Sequence, residues 1–319
     1  MVKSDRVINF VELLKHTKGD FVGKPFLLLD WQKEIIRDVY DTVDEQGRRQ
    51  YKTVYLEIPK KNGKSSLVAT LGLYHLLADG EAGGEIYSCA ADKKQASLIY
   101  DIATEMVETN PILSERCKIT KSKKMIEDKV TKSFYVVLSS EAYTKHGLNA
   151  SCVLFDELHA QPNRDLWDVM TFGAGDARKQ PIWWVITTAG DDPDQKSIGW
   201  EIHAKAKKII NGEIVDPRWY CKIYGIDGEE NIWDENLWYK VNPSLGNTIN
   251  IDSVRTAAIS AKESEAEEKL FRWLRLNQWI STKSTSWMSL MVYDETVGNW
   301  NISDMTGKKC YIGVDLAST

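Results

Sequence analysis

The sequence predicts an α/β fold in which a parallel β-sheet is flanked by helices. A short apolar strand at residues 54–58 runs into a polar loop and then into a helical pattern. A second apolar run, residues 152–155, ends in two adjacent carboxylates. Elsewhere, apolar segments of strand length alternate with segments of helical periodicity. This alternation is typical of parallel sheets that are covered on both faces.

The elements expected after the first strand follow in order along the chain. Ligand sites in such sheets lie at the carboxyl ends of the strands. The loop after residue 58 and the pair Asp156 and Glu157 are therefore expected at the same edge. The pattern predicts strands at 85–90, 134–139, 152–155 and 182–187, and helices at 92–107 and 197–210.

The segment Pro59–Ser66 is typical of a phosphate-binding loop followed by a helix. Backbone N–H groups and the positive end of the helix dipole favour an anion there. Lys64 is expected to contact the β- and γ-phosphates, and the Ser65 hydroxyl to ligate Mg²⁺. Ile58 stands where such loops usually begin with glycine, and an ordinary helix start with an exposed lysine is the alternative. The predicted nucleotide contacts in this segment are Lys60, Lys61, Asn62, Gly63, Lys64, Ser65 and Ser66.

The two carboxylates after the second apolar run favour nucleotide hydrolysis. In P-loop NTPases the first carboxylate of such a pair, here Asp156, holds Mg²⁺, and the second, here Glu157, polarises the attacking water. A strand followed by an acidic helix cap is the alternative. Both signals in this order and context are much less common together, so the sequence predicts an ATPase.

Two further polar residues are expected near the nucleotide. Gln32 precedes the loop, where a glutamine amide reads the donor and acceptor of the adenine edge in helicase-like ATPases. A surface glutamine is the alternative. Thr188 follows the strand at 182–187 and is expected to sense the γ-phosphate through the catalytic water.

Arg178 lies in a glycine-rich stretch just before the strand at 182–187. We expect it near the sheet edge where the nucleotide binds. From there its guanidinium would neutralise charge on the transferred phosphoryl group, in the same or a neighbouring subunit.

Composition is that of a soluble globular protein. The 319 residues are 43% hydrophobic and 27% charged, enough for one large or two ordinary domains. A net charge of −5 argues against coating nucleic acid through bulk charge, so any DNA contact is expected to be local. No apolar run is long enough for a membrane span, and no secretory leader is recognised. The five scattered cysteines are expected to be reduced, and no zinc spacing is found.

Differences in composition and in predicted secondary structure divide the chain into three predicted parts. Residues 1–228 form the ATPase domain, beginning with a helix expected at the periphery. Residues 229–305 are helical and tryptophan-rich and are interpreted as a linker or lid subdomain. Residues 306–319 carry a strand with one carboxylate, Asp315, and are expected to be the start of a second domain that is cut short.

This ordered set of motifs resembles the large terminase subunit of tailed double-stranded-DNA bacteriophages. A phosphate loop without its first glycine is usual in that family. The resemblance covers essentially the whole chain. The residues that carry it are Asp30-Trp31-Gln32, Pro59–Ser65, Gly147–Ala150 leading into Leu154–Ala160, Arg178 with Gln180-Pro181, Thr187–Gly190 and Gly313-Val314-Asp315.

The resemblance implies two domains. One is a P-loop ATPase of the additional-strand class that drives DNA into a preformed capsid. The other is an RNase H-like nuclease that cuts concatemeric DNA with Mg²⁺ or Mn²⁺. Asp315 matches the first metal-binding carboxylate of that nuclease. The later ones are absent here, so endonuclease activity is expected only in a longer chain. The family often places an arginine in the phosphate loop, where Lys60 and Lys61 stand here.

Partners and location follow from the same resemblance. It implies double-stranded DNA, the portal of the procapsid, a small terminase subunit and a ring of identical subunits, in the cytoplasm of the host bacterium and without membrane contact. A helicase-like, DNA-stimulated ATPase and a non-motor P-loop nucleotide switch remain alternatives. Duplex DNA that stimulates ATP hydrolysis without strand separation would distinguish the motor from both.

Overall fold

The computed structural model describes residues 2–138, 147–228 and 230–280, with residues 306, 307 and 309. Residues 1–281 form one compact unit and residues 282–319 form another. All helices and strands named below belong to the first unit.

Helices and strands alternate along most of this unit. The α-helices are α1 (Lys3–Glu12), α2 (Asp30–Asp41), α3 (Lys64–Leu77), α4 (Lys93–Glu108), α5 (Pro111–Arg116), α6 (Asp165–Thr171), α7 (Ile198–Ile210), α8 (Glu235–Val241), α9 (Ile251–Ala261) and α10 (Glu265–Leu274). The strands are β1 (Thr53–Glu57), β2 (Glu85–Cys89), β3 (Cys117–Thr120), β4 (Met125–Asp128), β5 (Phe134–Val137), β6 (Ala150–Asp156), β7 (Ile182–Thr187) and β8 (Trp219–Ile223).

The strands form one sheet in the order β3-β4-β5-β2-β6-β7-β1-β8. The six strands β5-β2-β6-β7-β1-β8 pair in parallel. β3 and β4 form an antiparallel hairpin that extends the sheet beyond β5. β7 lies between β1, which leads into the predicted phosphate-binding loop, and β6, which ends in the carboxylate pair. This inserted strand confirms the α/β fold of the additional-strand class.

Both faces of the sheet are buried, as expected for parallel strands. Alternate residues of one strand enter different cores: Val54 and Leu56 pack with α1 to α4, whereas Tyr55 packs with α6 and α7. The sequence did not predict the β3–β4 hairpin or β8, which are short strands near or at the sheet edges.

The N-terminal helix α1 lies at the surface with one face buried, and Lys3, Asp5 and Arg6 on its other side are exposed. Val7 and Val11 are fully buried on the face of α1 that joins the core formed with α2 and α3. The apolar residues of a single amphipathic turn therefore contribute to the main core.

Residues 230–280 form a helical region with its own apolar cluster, which includes Trp238, Val254 and Phe271. Its last segment lies against the residues that follow the carboxyl end of β7. Asn277 accepts a hydrogen bond from the Ala189 N–H at 2.8 Å, and the Ile280 N–H donates to the Gly190 carbonyl at 3.1 Å. This helical region therefore packs directly on the end of β7. The domain bounds predicted above remain predictions.

The described cysteines, Cys89, Cys117, Cys152 and Cys221, are all free. A membrane-spanning helix is not found in the part of the chain that the structure describes.

A buried network of charged and polar side chains connects α2 with the end of α3. Arg49 Nη1 is 2.7 Å from Asp79 Oδ1, and His75 Nδ1 is 2.9 Å from Asp79 Oδ2. Burial disfavours the Asp79 carboxylate, but His75 and Arg49 outweigh that effect and hold its pKa below the ordinary value. Tyr40 extends the network through a 2.9 Å hydrogen bond to His75.

Asp79→Ala is expected to lower the free energy of unfolding by about 3–5 kcal/mol, because it leaves the buried Arg49 guanidinium without its counter-charge. Urea denaturation measures this loss. Asp101→Ala is the matched control: its exposed ion pair with Lys124 contributes little. Equal losses in the two variants would contradict a stabilising role for the network.

The same network predicts a pH dependence. Since the folded-state pKa of Asp79 is lowered, its contribution is present above the unfolded pKa and is lost as pH falls below about 4. We expect wild type to lose stability in that range more steeply than Asp79→Ala, as measured by urea denaturation across pH.

Candidate active site

The loop between β1 and α3 has a backbone shape suited to an anion. Lys61 and Gly63 have positive φ angles of 71° and 83° and flank Asn62. Alternation of this kind turns successive N–H groups into a concave nest. Gly63 precedes α3, and no side chain caps that helix start, so its first N–H groups remain available to a ligand.

Lys64 is the first residue of α3 and only 6% exposed. Its Nζ lies 3.0 Å from Glu157 Oε1. Ser65 and Ser66 follow in the first turn of the helix and are half-buried. Lys60 and Lys61 are exposed at the outer side of the loop.

The carboxylate pair lies at the same sheet edge as the loop, as expected. The Glu157 N–H donates to the Ile186 carbonyl at 2.9 Å, and the Ile58 N–H donates to the Thr187 carbonyl at 3.1 Å. The ends of β6 and β1 are thus each fixed to β7. Glu157 has a left-handed backbone, with φ 51°, which turns its side chain out of the strand register.

Asp156 is 2% exposed, and its Oδ1 has no hydrogen-bond partner in the protein. Burial and the neighbouring Glu157 charge raise the pKa of Asp156 to about 7. An unpartnered buried carboxylate oxygen is a natural position for a cation. The described residues contain no cluster of three or more His, Cys, Asp and Glu side chains for a metal. Mg²⁺ needs none, because it keeps waters and phosphate oxygens beside one or two protein ligands.

Glu157 is held as a carboxylate. Burial alone would raise its pKa, but the His159 hydrogen bond and the Lys64 charge outweigh burial and lower the pKa to about 2. Thr188 Oγ1 donates to Glu157 Oε2 at 3.2 Å. Thr188 therefore lies beside the carboxylate expected to act on water, as its place after β7 predicted.

His159 is a site residue that the sequence reasoning missed. Its Nδ1 lies 3.2 Å from Glu157 Oε2 and 3.1 Å from Thr187 Oγ1. The Thr187 hydroxyl donates to the Thr188 carbonyl, and the Thr188 hydroxyl donates to Glu157. Nδ1 also lies 3.3 Å from Thr188 Oγ1. Because a carboxylate oxygen only accepts, Nδ1 bonds to Glu157 Oε2 in the tautomer that carries its hydrogen on Nδ1. The available signal was its position, two residues after Glu157 at the same strand end.

Gln32 lies beside the loop. It is buried, its Oε1 accepts from the Leu29 N–H at 2.9 Å, and its Nε2 lies 4.0 Å from where a Cβ on Gly63 would be. One amide oxygen thus caps the start of α2 while the nitrogen faces the loop. Adenine recognition by Gln32 remains a prediction.

Asn62 differs from the other predicted loop contacts. Its side chain is buried and bonded to Asn242, facing away from the concave side of the loop. Only its main chain remains for a nucleotide.

Arg178 is not near the loop of its own chain, and the expected position was wrong. Its guanidinium donates to the carbonyls of Asn149 at 2.9 Å and Gly83 at 2.8 Å. These residues precede β6 and β2, so they mark the amino-terminal edge of the sheet, opposite the nucleotide loop. A role toward a neighbouring subunit remains a prediction.

Asp315, the predicted nuclease metal ligand, lies outside the described residues.

Comparison with known proteins assigns the family. The family model "Terminase large subunit, ATPase domain" matches residues 30–201, which include Gln32, the loop, the carboxylate pair and Thr188. The model "Terminase large subunit, endonuclease domain" matches residues 213–319. The chain belongs to the terminase large subunit family. The resemblance noted from the motifs is thereby confirmed.

Individual terminases agree with this assignment. The large subunit from Enterobacteria phage HK97 is 32% identical over 323 residues, spanning 100% of this chain and 60% of that protein. The large subunit from Lactococcus phage p2 is 23% identical over 98% of this chain and 58% of its own length. A crystal structure of the HK97 large terminase has a TM-score of 0.76 at 28% identity, covering 92% of this chain and 58% of that chain. The chain thus spans about 60% of the length of these relatives.

Arg178→Ala is expected to lower the free energy of unfolding by about 1–3 kcal/mol, because two main-chain carbonyls lose a charged donor. It should leave ADP affinity within about twofold of wild type, since the guanidinium is remote from the loop of its own chain. Denaturation and nucleotide titration measure the two effects. Arg164→Ala, which removes an arginine that is 52% exposed, is the matched control for stability. A large affinity loss with unchanged stability would contradict the placement.

Proposed function

We propose that this chain hydrolyses ATP and that, in the whole protein, hydrolysis drives double-stranded viral DNA into a procapsid. The observation that carries the proposal is the 3.0 Å approach of Lys64 to Glu157 at the edge where β1 and β6 end. A phosphate-binding lysine and a water-polarising carboxylate then lie on either side of one small space. Phosphoryl transfer needs mainly such positioning and charge stabilisation.

Phosphate binding is assigned to the loop and the start of α3. The N–H groups around Gly63 and at the first turn of α3 would bind β-phosphate oxygens, and Lys64 would reach the β- and γ-phosphates. Lys64 would have to leave Glu157 to do so. Nucleotide binding therefore exchanges one anionic partner of a buried lysine for another, which limits the desolvation cost.

Mg²⁺ fits the residues beside this loop. Asp156, through its unpartnered oxygen, and the Ser65 hydroxyl would hold it, and when bound it neutralises charge on the phosphates. Because Asp156 is buried next to Glu157, a nearby cation also favours its ionised form.

Water activation is assigned to Glu157. His159 and Thr188 both bond to Oε2, so they fix one carboxylate oxygen. Oε1, which faces Lys64 in the free protein, becomes available to orient water when the lysine turns to phosphate. Because Thr188 bonds to this carboxylate, a movement of Glu157 would also move the main chain that follows β7.

The partners proposed for the whole protein follow from family membership. They are double-stranded DNA, the portal of the procapsid, a small terminase subunit and other copies of the chain in a ring, in the host bacterial cytoplasm. DNA-stimulated ATP hydrolysis without strand separation supports this proposal. Strand separation would instead favour the helicase-like alternative, and hydrolysis indifferent to DNA would favour the nucleotide switch.

Glu157→Gln is expected to retain nucleotide binding and to lower the ATP hydrolysis rate by about 10²–10⁴-fold, because it keeps the shape and removes the charge that orients water. Lys64→Ala should instead weaken nucleotide binding as well as turnover. Steady-state hydrolysis and nucleotide titration separate the two. Glu201→Gln, an exposed change on α7, is the control. Near-wild-type hydrolysis by Glu157→Gln alongside inactive Asp156→Ala would refute the assignment.

A second activity, metal-dependent DNA cleavage, is proposed for the whole protein because the endonuclease model matches residues 213–319. Two-metal hydrolysis needs several carboxylates to hold ions about 4 Å apart. Asp315 is the one ligand that the resemblance identifies, and Asp156 and Glu157 belong to the nucleotide site.

We therefore expect the purified 319-residue chain not to cut duplex DNA with Mg²⁺ or Mn²⁺. A longer chain that does cut should lose that activity on Asp315→Ala while retaining ATP hydrolysis. Agarose gel assays of plasmid nicking measure the outcome. Cleavage by the 319-residue chain that survives Asp315→Ala would place the nuclease elsewhere.

A further inference from the structure

The nucleotide loop is held by a turn that lies about 180 residues away in sequence, residues 242–248 after α8. Asn62 Nδ2 donates to Asn242 Oδ1 at 3.1 Å, and Asn62 Oδ1 accepts from the Ser244 N–H at 3.1 Å. The Asn62 side chain also donates to the Pro59 carbonyl at 3.2 Å. One buried amide thus joins both ends of the loop to the turn.

The turn also binds the loop's main chain. Ser244 Oγ donates to the Asn62 carbonyl at 3.0 Å, and Thr248 Oγ1 donates to the Lys61 carbonyl at 3.3 Å. Trp31 Nε1 from α2 donates to Ser244 Oγ at 3.1 Å. Two successive loop carbonyls are therefore directed toward the turn.

The direction of these carbonyls fixes the direction of the N–H groups. In a planar trans peptide the C=O and the following N–H point in opposite directions. Binding the Lys61 and Asn62 carbonyls from the turn therefore points the N–H groups of Asn62 and Gly63 away from it. Those are N–H groups of the nest that would bind phosphate.

The loop also contains a conformation that needs outside support. Lys61 has φ 71°, which is unfavourable for a residue with a side chain and persists only where neighbours fix it. The Thr248 hydrogen bond acts on that residue. The turn itself is anchored, because Asn242 Nδ2 donates to the carbonyls of Trp238 at 3.2 Å and Arg275 at 2.9 Å.

We propose that Asn242, Ser244 and Thr248 are positioning residues of the nucleotide loop, so that nucleotide affinity depends on the helical region as well as on the sheet. The proposal rests on the nucleotide site proposed above. They act by keeping the loop in its binding shape before the nucleotide arrives. If loss of a contact lowers the fraction of competent loop tenfold, apparent affinity falls tenfold.

Ser244→Ala removes the hydroxyl that binds the Asn62 carbonyl and keeps the N–H that binds the Asn62 side chain. We expect the dissociation constant for ADP with Mg²⁺ to rise about 5- to 20-fold, as measured by isothermal titration calorimetry. The effect should fall on affinity and KM and not on kcat, because Glu157 is untouched. Ser253→Ala is the control, since Ser253 Oγ donates to the Asn250 carbonyl at the start of α9 and not to the loop. It should bind within about twofold of wild type.

Thr248 provides a pair of variants that cannot unfold a core, because its side chain is exposed. Thr248→Val keeps the shape and removes the hydroxyl, and we expect it to weaken ADP binding about two- to fivefold. Thr248→Ser keeps the hydroxyl and should restore binding toward wild type.

The outcomes separate this inference from the proposed function. Wild-type protein that fails to bind ADP would refute the nucleotide site itself. Wild type that binds, with folded Ser244→Ala and Thr248→Val both within twofold of it, would overturn the positioning role. A fall in kcat with unchanged affinity would overturn it too. If Ser244→Ala does not fold, the Thr248→Val and Thr248→Ser pair decides.

Discussion

Parallel pairing of β7 between β1 and β6 is the constraint on which the site depends. Adjacent strands lie about 4.8 Å apart, so the ends of β1 and β6 are separated by roughly 10 Å. A short side chain cannot cross that gap. A lysine at the start of α3 and a glutamate turned out of β6 by a left-handed backbone meet within it at 3.0 Å.

Charge balance in that space explains why several groups converge on it. Two adjacent carboxylates cannot both be ionised cheaply when buried, and here their environments differ. Glu157 has a cation, a histidine and a threonine, whereas Asp156 has an oxygen with no partner. The pKa values accordingly move in opposite directions, to about 2 and about 7. Glu157 is thus charged in the free protein, whereas Asp156 keeps an oxygen without a hydrogen-bond partner. In the proposed nucleotide site, that oxygen would hold Mg²⁺.

The features that could be predicted from the sequence are those formed by residues next to one another in the chain. One strand leads into a Gly-Lys-Ser loop, and another ends in Asp-Glu. Each motif is continuous in sequence, so the fold class could be predicted, and so could the position of Lys64 and Glu157 at the same end of the sheet. Strand direction was the neglected signal for Arg178: it precedes β7 and so had to lie at the opposite edge. A single amphipathic turn indicates that the first helix has a buried face, but it does not reveal that α2 and α3 cover that face.

Contacts between distant segments could not be read from the sequence. Asn62 makes four hydrogen bonds to three residues, Pro59, Asn242 and Ser244, and nothing near it in sequence indicates the two distant ones. The short strands β3, β4 and β8 are stabilised by pairing rather than by their own apolar pattern. Tertiary context decides such elements, and propensity does not.

Close packing at the end of β7 determines how this edge responds to force. A Cβ at Gly199 would lie 2.7 Å from His159 Cα, and one at Gly190 would lie 2.7 Å from the Trp279 ring. Trp279 also donates to the buried Glu57 at the end of β1 at 3.1 Å. Interiors packed this tightly have little compressibility. A displacement of residues 188–190 would therefore also displace Trp279 and α7.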